Sequence, residues 1–434
     1  MTTDTPILPP EIIDAIIDQI DALDQDSIDP TDDRSIERRC ALAACALTTK
    51  SWVPRSRFYL FHTVHLPPND FDRCTKFSAL LADPACTIIP YVRTLIIREA
   101  YSFTGMGALW FNDALKDLSQ LTHVQTLSIF GARFDRMRPE DWSLSGIPFF
   151  AHMKGVTDLH LTSCQFRSPD QCLDALSVCE SLESLLVRRT SLDMDVLYSM
   201  NLRNDPPLRP PPRLTRLSID SHRMGNYDAV LKWLGNTRGY SPRIQHLVLE
   251  RVTDTETLQV SQFLQHLGPC LESLDLTVVD ISDEADTQEA FCKYIDFKHN
   301  TSLQTLYFDQ LIICEPYPGR LNVARYVPEV LKTVRSPMKE LVLRVQINTV
   351  DDLEVIDWDE IISTIKTNEN WSSLERVVVA GPRKEILKQA TEWMRVRLRG
   401  LGGQVGVHCE LLPRIQVLGV RMAPPSQSVA VWQA

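Results

Sequence analysis

Residue types able to do covalent chemistry are present in this chain but dispersed. Its 11 Cys form no C-x-x-C pair, and its 10 His are scattered. His62 and His65 lie in a short apolar alternation, so as strand residues they face opposite sides and cannot share a metal ion. No G-x-S-x-G elbow, H-E-x-x-H pair, G-x-x-x-x-G-K-[ST] loop or G-x-G-x-x-G fingerprint occurs. With 16 Gly in 434 residues, there is little material for phosphate-cradling loops. The acidic stretch 351–360 lacks the Gly and closing Glu of a calcium loop. Its apolar residues are spaced as in a helix, which predicts a solvated helix. We expect no enzyme, no cofactor and no metal.

The spacing that does recur is structural. Residues 156–166 read VTDLHLTSCQF and fit L-x-x-L-x-L-x-x-C-x-L at Val156, Leu159, Leu161, Cys164 and Phe166. The first three positions recur from Val92, Val124, Val156, Leu182, Leu214, Ile244, Leu271, Leu303, Met338 and Leu374. A nearly fixed period means stacked units, each burying its apolar face against the next. Right-handed strand–helix–strand crossovers then place parallel strands on an inner face and helices outside. The fold class expected is α/β, a leucine-rich-repeat-like solenoid preceded by a small three-helix domain. Helices are expected over 169–179, 257–267 and 322–334. The ninth position varies (Cys164, Thr190, His222, Val252, Val279, Leu311), so no regular polar ladder is expected under the strands. Residues 204–213 carry five Pro and predict an extended surface loop.

Composition narrows the partners. The chain is 44% hydrophobic with a formal net charge of −11, which argues against nucleic acid. No charged start with an apolar run opens it, and no apolar stretch approaches a membrane span. The scattered Cys therefore read as reduced thiols in the cytoplasm or nucleus, and the sequons at Asn300 and Asn370 as chance matches.

Residues 1–66 contain no full repeat and read as a helical domain, 67–412 as the array and 413–434 as a flexible tail. Pro9 and Pro10 suit a helix start. Ile12, Ile13, Ile16, Ile17 and Ile20 follow on one stripe, with acids on the rest of the surface. An Asp-rich loop over 24–33, a helix over about 34–47 and a third helix from Pro54 to about Leu60 come next. Phe61, Val64 and Leu66 form an irregular zeroth repeat. So small a helical piece must lean on the array, a partner or both, and the Ile stripe is the expected partner face.

Here the residues resemble a family. Leu8-Pro9-x-Glu11-Ile12, Ile16-Ile17, Leu42-x-x-Cys45-x-Leu47 and Ser51-Trp52 look like an F-box. Residues 54–61, with Pro54-Arg55-Ser56-Arg57 and then Leu60-Phe61, resemble F-box proteins abundant in basidiomycete fungi. The likeness covers about residues 7–66. It departs in the long acidic loop and at Thr48, where the family often has Val. The resemblance implies a Skp-family adaptor as partner and, through it, a cullin. Leu8, Pro9, Ile12, Ile13, Ile16, Ile17, Leu42, Cys45, Leu47 and Trp52 would contact the adaptor. The implied function is the substrate-recognition subunit of a Skp–cullin–F-box ubiquitin ligase. The alternatives are a non-degradative F-box scaffold and a repeat scaffold whose helices only cap the solenoid.

The target would lie on the inner face, where strand residues flanking the inward Leu point out. Ile96, Arg98, Phe130, His160, Leu186, Arg188 and Tyr307 are the expected contacts. Arg98 and Arg188 sit on the early half, while Asp220, Glu250 and Asp309 sit on the later half. Such a split of charge suits an extended protein partner better than a small molecule.

Overall fold

The structure, a computed structural model, describes residues 9–22, 33–67, 70–99, 110–137, 139–192, 209–220, 226–278, 291–312, 326–347, 349–381, 384–401 and 405–411. Leu8, most of the acidic loop, residues 204–208 and the tail fall outside them.

The three N-terminal helices form close to where the sequence signals placed them: α1 over Pro10–Ala22, α2 over Asp33–Thr48 and α3 over Val53–Phe61. Pro9 supplies its carbonyl to the N–H groups of Ile12 and Ile13 at 3.0 and 3.1 Å, which starts α1. Pro54 stands in the first turn of α3, where its missing N–H costs nothing.

The chain then enters the sheet with no intervening linker. Its strands are β1 (Thr63–Leu66), β2 (Thr94–Arg98), β3 (Thr126–Phe130), β4 (Asp158–Thr162) and a short β5 (Gln165–Phe166). Next come β6 (Ser184–Arg188), a short β7 (Ser191–Leu192), β8 (Arg216–Asp220), β9 (His246–Val252) and β10 (Ser273–Val278). The series ends with β11 (Thr305–Ile312), β12 (Glu340–Gln346), β13 (Arg376–Gly381) and β14 (Gly406–Leu411). All but β5 and β7 join one open 12-stranded sheet in chain order, and β5 and β7 pair with each other, with a single further bridge from Gln165 to Arg133. Neighbours are parallel and in register, apart from shifts near the ends of the β9–β10 and β11–β12 pairs. Val64, Leu95, Leu127, Leu159 and Leu185 form one row, which continues through Val377 to Val407. This is the α/β solenoid expected, with the zeroth repeat as its edge strand. The strand at 406–411 was not read from the sequence, because Gln404 stands where that repeat needs its first apolar residue.

Helices cover one side of the sheet. They include α4 (Phe71–Ala82) and α5 (Trp110–Leu118), then Pro169–Ser177, Asp254–Leu267, Tyr326–Lys332, Trp358–Thr367 and Lys384–Arg397. One continuous core runs beneath them from Val64 to Leu398. One part of it is an aromatic cluster: Phe134 stacks on Phe166 at 4.8 Å, and Phe111, Trp142, Phe149 and Phe150 close round them.

The eighth repeat position does a separate job. Gly131, Ser163, Arg189 and Arg251 all take positive φ there, between 49° and 75°. At Gly131, Ser163 and Arg189 the left-handed residue directly follows the strand's last residue and ends it, while β9 runs on through Arg251 to Val252. At Gly131 a Cβ would meet the Glu99 carbonyl oxygen at 2.8 Å, so only Gly fits. At the ninth position the Cys164 thiol and the Thr190 hydroxyl donate back to the carbonyls of Ile129 and Leu161.

Two expectations are corrected. Residues 351–360 are not one solvated helix: a 3-10 turn over Asp351–Val355 precedes a helix that Asp357 caps. Leu353, Ile356 and Trp358 are buried there, because the break lets both pieces turn apolar residues into the core. In the Pro-rich loop, Pro210 and Pro211 are buried, and the Pro211 carbonyl accepts from the Tyr240 hydroxyl at 3.3 Å.

Candidate protein-binding surfaces

The five-Ile stripe spans about 140° of helix surface at 3.6 residues per turn, wider than two short helices can cover. The structure splits it. Ile13 and Ile17 turn inward and, with Leu42, make a core of their own, against which Ile20, Trp52, Tyr59 and Leu60 pack. Ile12 and Ile16 stay outside, 47% and 37% exposed. Leu47, near the end of α2, is 87% exposed. Pro9 is exposed and Cys45 half-buried. Ile13, Ile17 and Leu42 were expected on a partner surface; they are enclosed instead, and that placement is corrected.

A polar clasp fixes how this core closes. Arg55 donates to both carboxylate oxygens of Asp18 at 2.8 and 2.9 Å, and the Tyr59 hydroxyl donates to Asp18 at 2.8 Å. Burial works to raise the Asp18 pKa, but the bonds from Arg55 and Tyr59 outweigh it and hold it below its ordinary value. Arg38 pairs with Asp21, tying α2 to α1. The module is joined to the array as well: Arg57 donates to Thr87 at 2.8 Å, and the His62 carbonyl accepts from Arg93 and Thr94.

The second surface is the sheet face opposite the helices. Its central row runs from His65 through Ile96, Ser128, His160 and Leu186 to His408. The row differs from the expected one in two respects. His160 is 3% exposed, with its Nδ1 2.9 Å from the Ser128 hydroxyl, so it lines the floor and does not project. Burial pushes its pKa down to about 4, which leaves it neutral at physiological pH. The expected split of charge is also overturned, because the acids and arginines pair across strands. Arg188 of β6 reaches over β8 to Glu250 of β9 at 2.8 Å. Asp220, between them, is 1% exposed and holds Arg251 at 2.5 Å. Arg344 of β12 takes Asp275 and Asp309 at 2.7 and 3.1 Å. Arg216 reaches Asp158 at 3.0 Å, and Arg376 pairs with Glu340.

These ladders were missed because each joins strands whose register only the fold sets. The signal available was an Arg at the third or seventh position of one repeat and an acid near it one or two repeats away. Burial still leaves its mark: Asp275 is pushed up to about 6 despite Arg344. Ile96, Phe130, Leu186 and Tyr307 remain half-buried on this face. Among the described residues no group of His, Cys, Asp or Glu could hold a metal ion, and no helix is long and apolar enough to cross a membrane.

Fold and surfaces together define an α/β solenoid carrying a small helical module. No protein-family model matches the chain, and no curated protein matches it. Among solved structures, the chain is similar to one in the yeast Rad7–Elc1 complex. That match has 14% identity, covers 92% of each chain and has a TM-score of 0.35. It is also similar to a chain in an octameric complex of Latrophilin 3, Unc5D and FLRT2. There the identity is 12%, 74% of this chain and 70% of that chain are covered, and the TM-score is 0.24. Similarities this weak say nothing of partners, so the functional reading rests on the chain's own residues.

Proposed function

We propose that this chain is a non-catalytic substrate receptor of a Skp–cullin–F-box ubiquitin ligase. The N-terminal module binds the adaptor and, through it, the cullin; the array holds a target protein. One observation carries the reading: the module closes its own core with Ile13, Ile17 and Leu42, yet leaves Ile12, Ile16 and Leu47 in solvent. Helices that served only as a cap would turn these residues toward the array. Placed in the open on a module with F-box spacing, they are anchors for a partner. The receptor does no bond chemistry itself. It raises the local concentration of the target's lysines beside a charged conjugating enzyme.

The test is a pulldown of the Skp-family adaptor with Ile16→Asp and Leu47→Asp variants. Both sites are exposed, so circular dichroism should match wild type. Truncating a central anchor costs about 2 kcal/mol or more, and each charge should remove most of the captured adaptor. Undiminished capture by the double variant rejects the reading. Target half-life with and without the receptor separates a degradative role from scaffolding.

A further inference from the structure

The inner-face arginines are of two kinds. Arg188, Arg216, Arg344 and Arg376 each hold a carboxylate. Arg98, at the end of β2, holds none among the described residues. Its guanidinium carbon lies 5.4 Å from the centroid of the Phe130 ring, and its Nε is buried without a hydrogen-bond partner. The adjacent acid does not neutralise it. Glu99 turns one oxygen to the Arg133 N–H at 3.2 Å, and its other oxygen is buried without a partner. Burial pushes Glu99 up to about 7, so near neutrality a good part of it carries no charge.

The neighbourhood stays positive. Besides burial, His65 on β1 feels Arg98, Arg39 and Arg73, and together they hold it at about 4. Arg73 is exposed in the first turn of α4. In a chain of net charge −11, the end of the inner face nearest the helical module thus places Arg98 without a carboxylate partner among the described residues, with Arg39 and Arg73 close enough to act on His65.

We propose that this end of the inner face, around β2 and β3, docks an acidic segment of the target protein. A carboxylate of that segment bonds to Arg98, and apolar side chains beside it lie on Phe130 and Ile96. This deepens the reading of the array as a target holder and rests on it. Arg98 lies over Phe130 and is only half-buried, so the exposed part of its guanidinium can take a carboxylate. Farther along the sheet, an incoming acid would have to break an existing pair, so the same segment has no equal site there. The position also places the target next to the module, hence next to the ligase.

The experiment uses fluorescence anisotropy of the full chain with a labelled peptide of alternating glutamate and leucine, and with its lysine–leucine counterpart. The acidic peptide should bind and the basic one should not, with affinity falling as salt rises. Arg98→Glu should weaken binding about tenfold or more, the worth of one charge-assisted bond. Arg335→Glu makes the same charge change at an exposed position on the helix side and should leave binding unchanged. If Arg98→Glu does not fold, Arg98→Gln removes the charge, keeps the stem and carries the same expectation. Four results would each overturn the site. They are equal binding of the basic peptide, no loss in the Arg98 variants, an equal loss in Arg335→Glu, and displacement of the peptide by a thymidine oligonucleotide. Adaptor pulldown from the same preparations is independent of these outcomes. Lost adaptor binding with intact peptide binding rejects the ligase reading and leaves the docking site standing.

Discussion

The helical module and the array solve the same problem at different scales. The array buries each strand's apolar row between two neighbours and a layer of helices, so one core extends from Val64 to Leu398. Its exposed large apolar residues, Leu80, Leu144, Leu258 and Val396, are spread along the whole length. The module has three fully enclosed apolar side chains and leaves Ile12, Ile16 and Leu47 outside within a short span. Singly scattered apolar residues are ordinary surface; a concentration of them on a small body is not. The difference is one of apolar surface: the array spreads its exposed apolar residues out, and the module gathers them on one small body.

The sharpest way to break this comparison is Leu42→Asp. Leu42 is fully enclosed, and an unpaired buried charge ranks among the largest single-residue penalties, about 4 kcal/mol or more. The module's core has too few members to absorb it. Hydrogen exchange should show α1, α2 and α3 losing protection while β4 to β13 keep theirs, since each repeat contacts mainly its neighbours. Loss of protection across the whole sheet would mean that module and array fold as one cooperative unit.

The two regions also differed in how far the sequence could be read. The array was legible because three apolar positions recur, and recurrence is robust to a poor copy: β14 escaped only because Gln404 occupies its first position. The module's helices were legible from Pro10, Pro54 and the Ile stripe. Which Ile turn inward was not, because periodicity gives the stripe and tertiary packing chooses its buried edge. The inner-face ion pairs were illegible for another reason. Their partners lie 58, 62 and 69 residues apart and meet only after strand register is set two repeats away. The expected charge split was a correct list of residues with the wrong neighbours.

Asp220→Ala sharpens the comparison from the array side. Asp220 is enclosed between Arg251 and Arg188, and its removal takes a buried carboxylate from both. Breaking a largely buried pair by deleting one partner costs several kcal/mol; with the arginines partly exposed, about 2 kcal/mol is expected. The loss should be confined to β6, β8 and β9, with adaptor capture unchanged. A matching loss of adaptor would show that the inner-face pairs also hold the module in place.

The smallest expected effect separates the regions by the sign of their pH response. In the module, Asp18 is held below its ordinary value, so its contribution is present at neutral pH and fades as pH falls through the folded pKa. In the array, Glu99 stands at about 7 against an ordinary 4.5, because burial disfavours its charged form. Between those values the folded state binds more protons than the unfolded one. Glu99 therefore adds stability below about 4.5 and loses it as pH rises to about 7. His65 and His160, both held near 4, act in the other direction and weaken the fold as pH falls from 6.5. Comparing wild type with Glu99→Gln cancels the His contributions. The variant cannot ionise, so it should be the more stable protein at about pH 8, by about 1–3 kcal/mol. Its advantage should shrink as both proteins are brought to about pH 5, where wild-type Glu99 is largely protonated. Thermal unfolding across that range measures the gap. A gap that stays constant with pH would mean that the Glu99 carboxyl ionises normally and that the end of β2 is open to water.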